Sequence, residues 1–160
     1  MKKIDPKLLV KSAPLLKQGM TTPTAMRDVW IALAPATIAG IWFFGISAAL
    51  VLMATIIGAV LTEWTFTEPE KRKEVLADNS AALTGLILGL TLPPALPLWM
   101  AFLGGVAAIG LGKLIWGGLG RNLFNPALVG RAFLLATFPV AMTTWAPAKP
   151  DTGFLTIYSS

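Results

Sequence analysis

The chain has 160 residues, of which 55% are hydrophobic and only 13% charged, with a mean hydropathy of +0.70; soluble domains carry about 25% charged residues, so the composition is that of an integral membrane protein. It contains no cysteine and no histidine, which excludes disulfides, iron–sulfur clusters, thiolate or imidazole metal sites and imidazole proton shuttling within the chain. Its charge of +5 does not indicate a nucleic-acid partner, because the basic residues lie at the ends of apolar segments and not along one aromatic-studded face.

Residues 1–27 are polar and basic, with Lys2, Lys3, Lys7, Lys11, Lys17 and Arg27 set against Asp5. Leu8, Leu9 and Val10 are too few for the apolar core of a signal peptide. The segment is therefore expected to be a retained cytoplasmic tail whose charge anchors it at anionic headgroups.

Residues 28–145 are expected to form a five-span, all-α membrane domain. Apolar runs over 29–44 and 46–64 are separated by Gly45, and together they exceed the length of about 20 residues that one span requires. A third span is expected over 80–92, stopped by Pro93 and Pro94, and a fourth over 96–116. The fifth runs from Pro126, a favoured first helical residue, to Trp145. Trp64, Trp99, Trp116 and Trp145 mark span ends, where amphipathic rings prefer the headgroup level. Pro35 is expected to kink the first span. Arg27 and Asp28 are expected to anchor and cap its start.

Charge orients these segments. The amino tail, the 63–78 loop with Lys71, Arg72 and Lys73, and the turn flanked by Lys113, Arg121 and Arg131 are basic; the turns at Gly45 and at 93–97 carry no charge. Basic residues favour the cytoplasm, so the amino terminus is expected inside and the tail over 146–160 outside. Three stripes of small residues (Ala32, Ala36, Gly40; Ala81, Gly85, Gly89; Gly104, Ala108, Gly112) repeat at every fourth position, the pattern that lets helices approach closely in lipid. An odd number of spans, if duplicated, gives an inverted repeat. No second copy lies within these residues, so the chain is expected to be half of a ten-helix bundle or to pair with another chain.

The stretch GGLGRNLFNPALVGRAF at 117–133 concentrates the polarity. Gly117, Gly118 and Gly120 permit positive φ and close approach of a backbone or a ring. Asn122 and Asn125 offer donors and acceptors, and Pro126 opens a helix whose first amides suit an electron-rich group. Arg131, a turn and a half into that helix, must snorkel, pair or face a cavity. Two readings are open from these residues alone: a glycine turn with topology arginines, or a cofactor or partner site that also includes Arg121. Glu63 and Asp78 read as solvated loop ends, with an ion path as the costlier alternative. Thr84 and Thr91 are expected to bond back to their own helix. Paired catalytic carboxylates, a nucleophile with its base and a phosphate-binding loop are absent from the sequence, and no catalytic or metal residue is assigned.

Four segments carry a resemblance, in order: AMRDVWIALAPATIAGIWFFG at 25–45, DNSAALTGLILGLTLPP at 78–94, PLWMAFLGGVAAIGLGKLIWGG at 97–118 and GGLGRNLFNPALVGRAFLLATFPVAMTTW at 117–145. They resemble the D-subunit family of Rnf complexes, and the chain is similar to the sister family, the B subunit of sodium-pumping NADH:quinone reductase. The resemblance implies a multi-pass subunit of an ion-translocating oxidoreductase in a prokaryotic cytoplasmic (inner) membrane, coupling electron flow between ferredoxin and NAD to sodium or proton movement. It implies ten spans in two inverted halves and an FMN held through its phosphate by a threonine of a Ser/Thr-Gly-Ala-Thr motif on the outer side. No such string occurs here, and Thr143, Thr144, Thr152 and Thr156 do not match it. The chain is thus expected to be the amino-terminal half, inactive alone, with the FMN threonine beyond Ser160. Within it, Gly117, Gly118, Gly120, Arg121, Asn122, Asn125 and Arg131 are candidates for contact with a flavin, either FMN or riboflavin, or with another subunit of the complex; the lipid bilayer is the other partner. Half of a channel or secondary transporter, or a scaffold without its own cofactor, is the alternative.

Overall fold

The computed structural model describes residues 22–67, 69–70, 72, 78–117 and 122–148. The expected tails over 1–27 and 146–160 therefore lie largely outside the described residues. Every regular element among these residues is helical: α1 (Thr22–Phe66), α2 (Ser80–Leu90), α3 (Leu98–Ile109) continued by a π turn (Gly110–Leu114), α4 (Pro126–Thr137) and α5 (Pro139–Thr143).

Helix α1 is two limbs joined at Gly45, whose φ of 70° and ψ of −160° no residue with a β-carbon adopts readily. Met26, Trp30 and Leu33 from the first limb and Ile56 from the second pack on the same cluster of Leu52, Leu83 and Leu86. In one straight helix Trp30 and Ile56 would stand about 39 Å apart, so the limbs lie side by side. The backbone leaves helical geometry at Gly45 and stays helical through Pro35. Arg27 and Asp28 are exposed and lie inside α1, past its start, so they do not cap it.

Helix α2 starts behind Asn79, which adopts a left-handed φ of 55°, while Asp78 Oδ1 accepts the Ser80 N–H at 2.8 Å. It ends where the Thr91 N–H turns back to Leu88 O at 2.8 Å, ahead of Pro93 and Pro94. Thr84 and Thr91 donate to Ser80 O at 2.9 Å and Leu88 O at 2.7 Å, their own helix, as expected. Asn125 caps α4, its Oδ1 accepting the Ala127 N–H at 3.0 Å, and Pro126 occupies the first turn. The single helix expected over 126–145 is instead two. Pro139 offers no N–H and pushes its predecessor out of the α region, so Phe138 sits at φ −130°, ψ 60° and α5 starts anew.

Small residues set the packing distances. A β-carbon on Gly105 would lie 2.4 Å from Thr55 O of α1, one on Gly58 2.4 Å from Phe102 O of α3, and one on Gly85 2.6 Å from Ile56 Cα. The second limb of α1 thus crosses α2 and α3 nearly backbone to backbone, and α4 meets α3 at Gly130 and Gly104 in the same way. The second and third stripes of small residues are these contacts. The first is not used among the described residues: Ala32 and Ala36 are exposed, and no neighbouring element comes within 4 Å of a β-carbon built on Gly40. Buried apolar residues Val51, Leu88, Leu96, Ala101, Ala108, Leu134 and Met142 fill the centre.

Helical stretches alternate in direction between two ends. At one end Met26, Ser80, Lys113 and Pro126 face a shared cleft; at the other Phe44, Leu90, Pro94 and Trp145 meet. Large apolar side chains cover the outside, Trp42 at 74% exposure among them, with Ile31, Ile38 and Val140 also exposed. Among the described residues α1 is the one helix long and apolar enough to cross a membrane; Ser80–Leu90, Leu98–Leu114 and Pro126–Thr137 are shorter apolar helices.

The close crossings predict an asymmetric response to added methyl groups. Gly105→Val should lower stability by about 1–3 kcal/mol or abolish folding, whereas Gly40→Ala should be neutral or slightly stabilising. Thermal unfolding of the detergent-purified protein, followed by tryptophan fluorescence, measures both; equal effects would contradict the assigned crossing.

Candidate functional site

The second limb of α1 carries Thr62 and Glu63 into the interior near its end, the Thr62 hydroxyl donating to Gly58 O at 2.7 Å. Glu63 is 1% exposed. Lys113, on the π turn that follows α3, is 3% exposed. Its Nζ donates to Glu63 Oε1 and, at 2.6 Å, to Ser80 Oγ at the start of α2. Three elements distant in sequence therefore converge on one ammonium group. The π turn places Lys113 beside the start of α4, where a β-carbon on Gly112 would lie 2.7 Å from Pro126 Cα. Such turns are rare, and they occur frequently at functional sites.

Desolvating two opposite charges costs several kcal/mol per ion, and their attraction offsets this only when geometry and further hydrogen bonds are good. The Ser80 hydroxyl supplies the further bond. Ser80 is held in turn by Asp78, whose Oδ1 accepts its N–H at 2.8 Å. The pair corrects two expectations. Glu63 is not a solvated loop end, and Lys113 is not a surface topology charge. Each ends an apolar run, which is also where a surface charge would stand, and their partnership spans 50 residues of sequence.

A cleft of about 330 Å³ opens beside this pair. Met26, Leu83 and Ile87 give it an apolar wall, and Ser80, Thr84, Lys113, Asn122 and Asn125 a polar edge. Asn122 Nδ2 donates to Phe124 O at 2.9 Å, which holds its side chain in the turn before α4. Of the seven candidates in the glycine–asparagine stretch, Asn122 and Asn125 reach the cleft. Gly117, at φ 90°, ends the helical run, its N–H bonding Leu114 O at 3.1 Å. Gly118, Gly120 and Arg121 lie outside the described residues. Arg131 points elsewhere: its Nη1 donates to Thr91 O at 2.6 Å, at the carboxyl end of α2, where the helix dipole is negative. It is partly buried and pairs, the second of the three fates open to an arginine at that depth. Ser80, Thr84 and Lys113 join the site without being candidates for it from sequence. The signals that point to the buried pair are a lone lysine in the apolar run GLGKLIW and a lone glutamate in GAVLTEW.

A second, larger hollow of about 640 Å³ lies at the opposite end, where α4 breaks into α5. It is mainly apolar, with Pro97, Met100, Val140 and Trp145 on its walls and the Trp99 ring edge-on to Phe138 at 5.3 Å. Convergent polar groups beside an apolar wall mark the first cleft as the better ligand site.

Residues 9–157 match the model of the NQR2, RnfD, RnfE family. The chain belongs to that family. It is 44% identical over 138 residues to the D subunit of the proton-translocating ferredoxin:NAD(+) oxidoreductase complex of Clostridium ljungdahlii, covering 86% of this chain and 41% of the relative. It is 40% identical over 141 residues to the D subunit of an ion-translocating oxidoreductase complex of Halorhodospira halophila, covering 87% of this chain and 40% of the relative. The corresponding protein of Aeromonas salmonicida is 43% identical over 145 residues, 89% of this chain and 41% of that protein. The chain thus spans about two-fifths of the length of these family members.

Removing one partner of the buried pair leaves the other charge unmatched. Glu63→Gln and Lys113→Met are each expected to cost about 3–5 kcal/mol, and the double replacement to recover most of that loss. Thermal midpoints of the purified full-length protein form the double-mutant cycle; strictly additive losses would contradict a closed pair.

Proposed function

We propose that the chain forms part of the D-type membrane subunit of an Rnf-type complex, in which electron transfer between ferredoxin and NAD drives sodium or proton translocation. One observation carries this reading: identity of 40–44% over most of the chain to proteins named as D subunits of such complexes. The subunit crosses the prokaryotic cytoplasmic membrane five times within residues 1–160, starting inside, and a second, inverted set of five completes a ten-helix bundle. Alternation of the helical stretches supports this, as does the position of Arg27, next to Met26 of the cleft, and of Arg72, over the Trp64 ring, toward one end of the bundle. Partners are the other subunits of the complex.

In this reading the cleft beside Lys113 takes a flavin ring, and a further FMN is carried covalently by a threonine outside residues 1–160. The fit rests on size and chemistry: a volume of about 330 Å³ is at the lower bound of small-molecule sites, and an apolar wall with a few polar groups suits a flat heteroaromatic ring. The flavin supplies the one- and two-electron chemistry. The chain supplies the setting. Asn122 and Asn125 orient the polar edge of the ring, Met26, Leu83 and Ile87 exclude water from its face, and Lys113 holds a positive charge nearby.

The test uses the full-length protein within its complex. Asn122→Leu with Asn125→Leu should reduce the flavin released on denaturation at least several-fold while leaving the covalently fluorescent band on a denaturing gel intact. Unchanged release would remove the cleft from the reading; absence of the covalent band in the parent protein would count against the D-type assignment itself.

A further inference from the structure

We infer that Lys113 and Glu63 act as a fixed charge pair that sets the reduction potential of the flavin in the cleft, Lys113 raising it and Glu63 holding back part of that rise. The inference rests on the reading of the cleft as a flavin site and goes beyond it by assigning a role to a buried pair of which one member, Lys113, forms part of the cleft wall. Lys113 belongs both to the pair and to the wall that also contains Asn122 and Asn125, whereas Glu63 is not among the wall residues. The positive end of the pair therefore stands nearer the cleft than the negative end. Both side chains are almost fully withdrawn from solvent, at 4% and 2% exposure, so water does little to screen their fields. The Ser80 hydroxyl at 2.6 Å and the Gly112–Pro126 contact hold Lys113 in place as charge on its neighbour changes.

Adding electrons to a ring in the cleft places negative charge on the Lys113 side of the pair. Those electrons come from the reduced carrier oxidised by the complex, and no bond in this chain forms or breaks. Lys113 and Glu63 are positioning residues here. A purely structural pair would influence stability and occupancy but would not shift the potential in a direction set by the sign of the charge removed.

The experiment is a redox titration of the non-covalent flavin, followed by visible absorbance, in the assembled complex with the full-length subunit. Glu63→Gln should move the midpoint potential upward and Lys113→Met downward, while Lys113→Arg should stay near the parent. If Lys113→Met does not fold, the Glu63→Gln/Lys113→Met double variant leaves no lone buried charge, and its potential should lie below that of Glu63→Gln. Shifts of the same sign in the two single variants, or no shift with flavin occupancy unchanged, would overturn the inference while leaving the cleft as a flavin site. A titrating flavin retained in full by the Asn122→Leu/Asn125→Leu variant would place the ring elsewhere and overturn both.

Discussion

A lysine with almost no exposed surface, donating to a glutamate and a serine from two other helices, is the constraint on which the arrangement of this chain depends. Charge that deep is tolerated only when matched, so the end of α1, the start of α2 and the π turn after α3 must meet at one place. Glycines make that convergence possible. With Gly58 and Gly105 the second limb of α1 and α3 cross at backbone distance, and with Gly85 α2 closes on α1. Bulkier residues at those positions would hold the helices apart and leave the ammonium group without its partners.

The same convergence builds the cleft. Ser80 and Lys113 both serve the ion pair and form part of the wall, and α4 brings Asn122 and Asn125 to the other side through a capped start. An apolar face, two amides and a buried cation are the features on which the proposal of a flat, electron-accepting ring in this cleft rests. The opposite end of the bundle offers a larger but mainly apolar hollow, formed where Pro139 breaks α4 from α5. Arg131 stabilises the region between the two ends by neutralising the carboxyl end of α2 at Thr91 O. Its polarity thus serves helix packing, while the asparagines of the same stretch serve the cleft.

What is legible in the sequence follows from the range of each signal. The break at Gly45, the helix start at Pro126, the back-bonded Thr84 and Thr91 and two of the three small-residue stripes are local patterns, and the structure bears them out. The break ahead of Pro139 is also local, but continuous apolarity on both sides hides it. The stripe at Ala32, Ala36 and Gly40 has the same spacing as the other two and meets no partner helix among the described residues, because spacing specifies a close-packing face and not its partner. Glu63 and Lys113 are the least legible. A charge at the end of an apolar run satisfies the rule for a membrane boundary equally well whether it turns outward to water or inward to a partner 50 residues away.

The proposed role of the buried pair requires the ring to lie in the cleft beside Lys113 and not in the hollow at the other end. Photo-crosslinking measures this directly: a photoreactive amino acid placed singly at Thr84 or at Val140 of the full-length subunit in its complex, irradiated, digested and read by mass spectrometry. A flavin-mass adduct from the Thr84 site with none from Val140 is the expected result. An adduct at Val140 alone would contradict that placement.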